Sequence, residues 1–179
     1  KSQTRNCART NSKSNTHRFM ILLKDILYRV GIEQVVGSTA VAVRGVEFDS
    51  RRVALNDVFV AIKGALVDGH QFIKQACDQG AIAIICEQFP EMIINGITYV
   101  QVRDASAALA YIADNFYEQP AKDLVLVGVT GTNGKTTVAT LLHQLFTKMG
   151  YAAGLLSTVE NKIGHEIIPS THTTPDSLT

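Results

Sequence analysis

The chain has 179 residues, 46% hydrophobic and 18% charged, which is enough apolar material for a real core and excludes a disordered or fibrous chain. Its formal net charge of +1 offers no bulk attraction to nucleic acid, and no apolar run reaches the length of a membrane span. The three cysteines, Cys7, Cys77 and Cys86, fit no zinc spacing and are odd in number, so reduced thiols in a cytoplasmic setting are expected rather than a disulfide framework.

Residues 1–19 differ from the rest. Lys1, Arg5, Arg9, Lys13 and Arg18 stand among Ser, Thr and Asn with no acid and no hydrophobic periodicity, which reads as a disordered basic extension. From Ile21 to Val30 the residues Leu22, Leu23, Ile26, Leu27 and Val30 share one helical face, and Gly31 sits where a capping glycine would. Val41 to Phe48 reads as a strand, followed by the polar corner Asp49-Ser50-Arg51-Arg52. Strands are expected at 57–62, 81–86 and 98–102, and helices at 71–79 and 105–117. Pro120 marks a break, which places a domain boundary there: a small α/β domain over 20–118, then a second domain from 119 onward.

The second segment opens with the apolar run Leu124 to Val129, a buried strand by its β-branched content. Gly131 and Gly134 then allow a tight turn with N–H groups aimed inward, and a helical pattern runs from Thr136 to Met149. That order of strand, glycine loop, Lys-Thr and helix is what a phosphate-binding loop requires, because the helix N-terminus offers unpaired N–H groups and a positive dipole end. Lys135 would reach the β/γ-phosphates and the Thr136 hydroxyl would sit on Mg²⁺. The general pattern wants glycine at the place of Val129, and Gly128 falls one residue early. Residues 152–158 read as a second strand parallel to the first, completing a βαβ unit, and 162–168 as a hairpin around Gly164-His165. One such unit cannot cover both faces of a parallel sheet, so the chain reads as the front part of a longer enzyme.

The segment Gly128-Val129-Thr130-Gly131-Thr132-Asn133-Gly134-Lys135-Thr136-Thr137 resembles the ATP loop of the Mur ligases, the ATP-dependent amide ligases of peptidoglycan precursor synthesis. In that family a β-branched residue at the place of Val129 is ordinary. Asp49-Ser50-Arg51, Asp57-Val58-Phe59-Val60-Ala61 and Asp68-Gly69-His70 are similar to the N-terminal domain shared by the third and fourth ligases of the pathway. Gly154-Leu155-Leu156-Ser157-Thr158-Val159 and Thr173-Thr174-Pro175-Asp176 resemble the third ligase. The resemblance runs from about Met20 to Thr179. It implies a small α/β domain that binds a UDP-muramoyl substrate, followed by the start of a P-loop, parallel-sheet ATP domain.

The activity it implies joins a diamino acid, meso-diaminopimelate or L-lysine, to UDP-N-acetylmuramoyl-L-alanyl-D-glutamate through an acyl phosphate, by a monomer that uses ATP and Mg²⁺ and binds neither nucleic acid nor membrane. Gly131, Thr132, Asn133, Gly134, Lys135, Thr136 and Thr137 are then expected to bind ATP, with Lys135 catalytic and Thr136 at the metal. Phe48 and Ser50 are expected to hold the uridine end, Ala65, Leu66 and Val67 to pass the uracil ring, and Thr173 and Thr174 to contact the muramoyl peptide. Leu55-Asn56 replaces a frequent Pro-Gly, Ser157 a frequent Gly, and Glu160-Asn161 a common Gly-Tyr; Asn56 can still take a left-handed turn.

Plainer readings stand beside these. Asp49-Ser50-Arg51 equally reads as an Asx turn, and Thr173-Thr174-Pro175-Asp176 as a helix start. His70 reads as a structural turn residue, and His165 and His172 have no metal-ligand partner at useful spacing. A fourth-ligase or folylpolyglutamate-type enzyme and a non-catalytic UDP-sugar or nucleotide module remain alternatives. The remaining metal ligands and the domain that selects the amino acid are expected beyond Thr179, so the chain by itself is expected not to turn over.

Overall fold

The computed structural model of the chain describes residues 20–64, 67–164, 166–169 and 178. The expected basic extension at 1–19 lies outside them. In chain order the elements are β1 (Ile21–Leu22), α1 (Leu23–Ile26), β2 (Ile32–Val36), β3 (Ala42–Val43), β4 (Gly45–Glu47), β5 (Asp57–Val60), α2 (Ile73–Asp78), β6 (Ala83–Cys86), β7 (Thr98–Val102), α3 (Ala105–Phe116), α4 (Lys135–Lys148), β8 (Gly154–Leu155), β9 (Glu160–Ile163) and β10 (Glu166–Pro169).

A five-stranded sheet in the order β2-β7-β6-β5-β4 centres the first part of the chain. Strands β4 to β7 run parallel, and β2 closes one edge antiparallel to β7. The reason lies in the residues of β5 and β6: all four positions of each are buried, which suits strands covered on both faces. Their side chains alternate. Val58, Val60, Ala83 and Ile85 face a core shared with Leu23 and Ile26 of α1 and with Leu109 and Ile112 of α3. Phe59, Ala61, Ile84 and Cys86 face the other way, onto Ile73 and Ala76 of α2. Burial of each large side chain in these cores contributes roughly 1.5–3 kcal/mol, so the two-sided packing dominates the stability of this part.

Several expected elements are shorter or divided. The helix expected over 21–30 keeps only one turn, because Arg29 takes a left-handed φ of 65° two residues before Gly31. The strand expected over 41–48 breaks at Arg44 into β3, paired with β1, and β4, paired with β5. Strand β2 has no clear alternation and shows four exposed positions, so its sequence carries little strand signal. Asn56 has φ 65°, the left-handed turn expected of it.

The second part departs further. The run Leu124 to Val129 forms no strand, and Val125 and Leu126 are 94% and 90% exposed. A strand needs a neighbouring strand for its N–H and C=O groups, and among the described residues none pairs with this run; the Leu124 N–H turns back to the Ala121 carbonyl instead. Helix α4 forms where expected and ends at Gly150 with φ 86°, yet it buries no residue; Leu141, Leu145 and Phe146 are exposed. The expected parallel βαβ unit is likewise absent from the described residues. Strand β8 pairs antiparallel with β9 instead, and β9 with β10, in a three-stranded meander. The short β9–β10 connection at Gly164 makes that pairing local, whereas a parallel partner would have had to come from the unpaired 124–129 run.

Two outcomes are expected. Gly69→Ala should lower the stability of the first part by about 1–3 kcal/mol in urea unfolding, since an added Cβ would stand 2.6 Å from the Ile62 carbonyl oxygen and 2.8 Å from its nitrogen. Amide exchange should be faster over 124–148 than over β5 to β7; equal protection in both would contradict the packing described.

Candidate functional site

In parallel sheets ligands collect at the carboxyl ends of the strands. Here that edge carries Phe48 and Ser50 just after β4, the 63–68 turn after β5, and Glu87 to Pro90 after β6. Phe48 is half-buried and packs on the α1/α3 core. Ser50 is buried, and its hydroxyl donates to Gln75 Oε1 at 3.2 Å on α2. The Gln79 amide nitrogen, also from the α2 end, donates to the carbonyls of Ser50 and Val53. Ser50 is therefore held by both backbone and side chain, and its Oγ keeps acceptor capacity.

Asp49 next to it forms the plain turn that its sequence allowed. Its Oδ1 accepts the Arg51 N–H at 3.0 Å, and Oδ2 accepts from the Arg51 guanidinium at 2.6 Å. The guanidinium bonds, then the backbone bond, hold the Asp49 carboxyl down at about 2. The Asx-turn reading and the substrate-contact reading of this corner are compatible, because Arg51 engages Asp49 while Ser50 turns toward α2.

The 63–68 turn is closed by an antiparallel backbone pairing of Lys63 with Asp68, and Gly64 N–H donates to the Val67 carbonyl at 3.0 Å. Val67 is exposed; Ala65 and Leu66 lie outside the described residues. Beside this turn a pocket of about 160 Å³ is lined by Lys63, Asp68, His70, Glu87 and Phe89, among others. The sequence reading missed Lys63 and Glu87. The signal that could have found them is the strand order, since both follow directly on parallel strands. A larger open hollow of about 360 Å³, between α1 and the end of α3, contains none of the expected site residues.

The loop before α4 brings 131–137 together in one short arc. Gly131 has φ 150° and Gly134 φ 77°, and Gly134 caps α4. The first intrahelical bond runs from Val138 N–H to the Gly134 carbonyl, so the N–H groups of Lys135, Thr136 and Thr137 have no partner within the helix. Lys135 folds back over the loop, its Nζ 2.6 Å from the Gly131 carbonyl oxygen and 3.5 Å from that of Thr132. Thr136 is half-buried, while Thr132, Asn133 and Thr137 are exposed. Open N–H groups, two glycines in conformations that side chains resist, and a cationic head over the arc together suit an anion of phosphate type. Among the described residues no group of three His, Cys, Asp or Glu side chains forms a metal cluster, and no helix is long and apolar enough to cross a membrane. Thr173 and Thr174 lie outside the described residues.

Comparison with known proteins adds the following. The family "Mur ligase family, catalytic domain" matches residues 42–117, and "Mur ligase middle domain" matches residues 129–179. A UDP-N-acetylmuramoyl-L-alanyl-D-glutamate--2,6-diaminopimelate ligase of Cytophaga hutchinsonii is 49% identical over 157 residues, covering 87% of this chain and 32% of the relative. The protein of the same name from Bacteroides thetaiotaomicron is 47% identical over 159 residues, covering 89% of this chain and 33% of the relative. The chain thus spans about a third of the length of the curated relatives it matches. A solved structure of a ligase of that name superposes with a TM-score of 0.67 at 24% identity, over 89% of this chain and 32% of that one, and so agrees in fold.

The Asp49 carboxyl generates a pH expectation. Its folded value lies below the unfolded one, so the turn is fully supported above the ordinary carboxylate range and loses that support as pH falls toward about 2. In Arg51→Ala the Asp49 carboxyl should titrate well above its present value when followed by carbon NMR; an unchanged midpoint would remove Arg51 as the cause.

Proposed function

Because the chain belongs to the Mur ligase family, we propose that it contributes the nucleotide-sugar-binding part and the start of the ATP-binding part of a diamino-acid-adding ligase. The substrate on this reading is UDP-N-acetylmuramoyl-L-alanyl-D-glutamate, and the added amine is a diamino acid, 2,6-diaminopimelate by the names of the relatives. On this reading the boundary between the two parts falls near Pro120; the gap between the two matched stretches supports it. A cytoplasmic monomer is the accompanying reading.

The observation that carries it is the arc at 131–137. Two left-handed glycines, three N–H groups without helical partners and Lys135 arched over the loop form a phosphate cradle at the start of a helix. Bound ATP with Mg²⁺ would supply the phosphoryl group that turns a carboxylate, a poor electrophile, into an acyl phosphate open to attack by an amine. The chain's own residues supply position and charge. Gly131, Thr132, Asn133 and Gly134 shape the cradle, and the N–H groups of Lys135, Thr136 and Thr137 face the anion. Lys135 would exchange its bonds to the loop carbonyls for bonds to phosphate oxygens, offsetting the repulsion between phosphate and carboxylate. The Thr136 hydroxyl, at the helix start, would be a group that holds Mg²⁺.

At the sheet edge Phe48 and Ser50, with the turn that carries Ala65, Leu66 and Val67, would hold the uridine end. Support for this comes from their common position after β4 and β5 and from the fixing of Ser50 by Gln75. Thr173 and Thr174 are proposed as contacts to the muramoyl peptide, on the residue pattern Thr-Thr-Pro-Asp alone.

Titration calorimetry separates the two sites. Lys135→Ala should weaken ADP·Mg²⁺ binding roughly tenfold to a hundredfold, as expected for loss of a charge-assisted bond, and leave binding of the UDP-linked dipeptide unchanged. Ser50→Ala should do the opposite. Absence of nucleotide binding by the folded unsubstituted protein would sink the cradle reading.

A further inference from the structure

We propose that His70 is a positioning residue, a neutral latch that holds the Val67–Asp68 end of the β5 turn against the end of β6 and so sets the shape of the uridine-binding edge. The proposal rests on the nucleotide-sugar reading of that edge. Its basis is the pair of bonds at the imidazole. Nδ1 lies 2.7 Å from Asp68 Oδ1, and Nε2 lies 3.0 Å from the Glu87 backbone nitrogen, seventeen positions away in the chain.

A backbone N–H can only donate, so Nε2 must present its lone pair to Glu87. The ring proton therefore sits on Nδ1 and is donated to Asp68. That tautomer is the one arrangement that satisfies both contacts, and it is neutral. The ring is mostly buried while the Asp68 side chain is 37% exposed, so loss of the ring would leave the Glu87 N–H, rather than the carboxylate, as the costly unmet partner.

The two ends of the latch differ in rigidity. Asp68 belongs to the turn, whose described backbone bonds otherwise run back along its own stretch of chain: Gly64 to Val67 and Gly69 to Ile62. Glu87 is anchored to the sheet and to α3. Its carbonyl accepts the Gln101 amide at 3.0 Å, and its Oε1 accepts the Ala105 N–H at 3.0 Å. Among the described residues the charged groups that line the pocket with the ring are Asp68, bonded to the ring itself, Glu87, turned to α3, and Lys63. Through the imidazole the turn gains a tie to a second strand. An apolar ring of similar size would fill the space but leave the Glu87 N–H and the Asp68 carboxylate each short of a partner.

Three measurements on the protein test this. Nitrogen NMR of the His70 ring should show a protonated Nδ1 and a lone-pair Nε2; the opposite tautomer would overturn the latch. His70→Phe should weaken binding of UDP-N-acetylmuramoyl-L-alanyl-D-glutamate roughly fivefold to tenfold, leave ADP·Mg²⁺ binding unchanged, and speed amide exchange at His70 and Glu87. His70→Asn, which can still reach Asp68, should recover part of that loss. Should His70→Phe fail to fold, His70→Asn decides by itself: wild-type affinity in it overturns the proposal, and an intermediate loss supports it. If the unsubstituted protein binds ADP·Mg²⁺ but no UDP-linked dipeptide, the nucleotide-sugar reading falls and the positioning role with it. If it binds the dipeptide and His70→Phe binds equally well, only the latch falls.

Discussion

The Asp57 carboxylate is buried at the start of β5 and receives three donors: Arg44 Nε at 3.0 Å, the Arg44 terminal nitrogen at 2.8 Å, and the Ala54 N–H at 2.9 Å. The pair is two-pronged and its acidic half is out of water, so loss of one partner would strand a charge at the edge of the core. Its geometric effect matters more than its energy. It closes the 54–57 turn, in which Asn56 adopts its left-handed conformation, and it ties Arg44 between β3 and β4 to the head of β5. The register that results sets Gly45 beside Asp57 and Glu47 beside Phe59. Because the two strands are parallel, their far ends emerge on the same side. Phe48 and Ser50 then stand at the same sheet edge as the 63–68 turn, and His70 adds β6 to that group.

The second part of the chain obeys a different constraint. Its proposed phosphate cradle is built from local features: two glycine conformations, a helix start and a lysine that reaches four residues back. None of these needs a sheet beneath it, and the cradle keeps its form while the apolar run before it lies open. A strand is not local in this sense. The residues 124–129 carry the composition of a buried strand, but composition cannot provide the neighbouring N–H and C=O groups that make one. Helix α4 shows the same split, with an apolar stripe at helical spacing that stays largely open and only the short β8 beside it among the described residues.

This contrast explains what could be read from the residues and what could not. Strand β7 and helix α3 were legible almost to the residue, since each pairs a strong apolar pattern with a clear boundary, such as the Asp104 side chain that accepts the Ala107 N–H. The edge strand β2 was not, because one weakly patterned strand is stabilised chiefly by its pairing to β7. The division of 41–48 at Arg44 was hidden for a similar reason: it depends on a carboxylate thirteen residues later. The arc at 131–137, with its two glycine conformations and the lysine folded back over it, was legible because these features lie in consecutive residues. His70 was legible as a structural turn residue, but its tie to Glu87 and the place of Lys63 were not, because these residues meet only where β5 and β6 end side by side.

By itself, then, the sequence determined the class of the fold, the two-sided burial of β5 and β6 and the cradle before α4, all set by local conformation and by the spacing of apolar side chains. The tertiary structure decided which strands pair, that β8 runs antiparallel to β9, and that the ends of β4, β5 and β6 form one edge. Those outcomes rest on hydrogen bonds between distant residues, whose partners no local pattern specifies. The Asp57–Arg44 pair and the His70–Glu87 contact belong to this second kind, and between them they locate the proposed substrate edge.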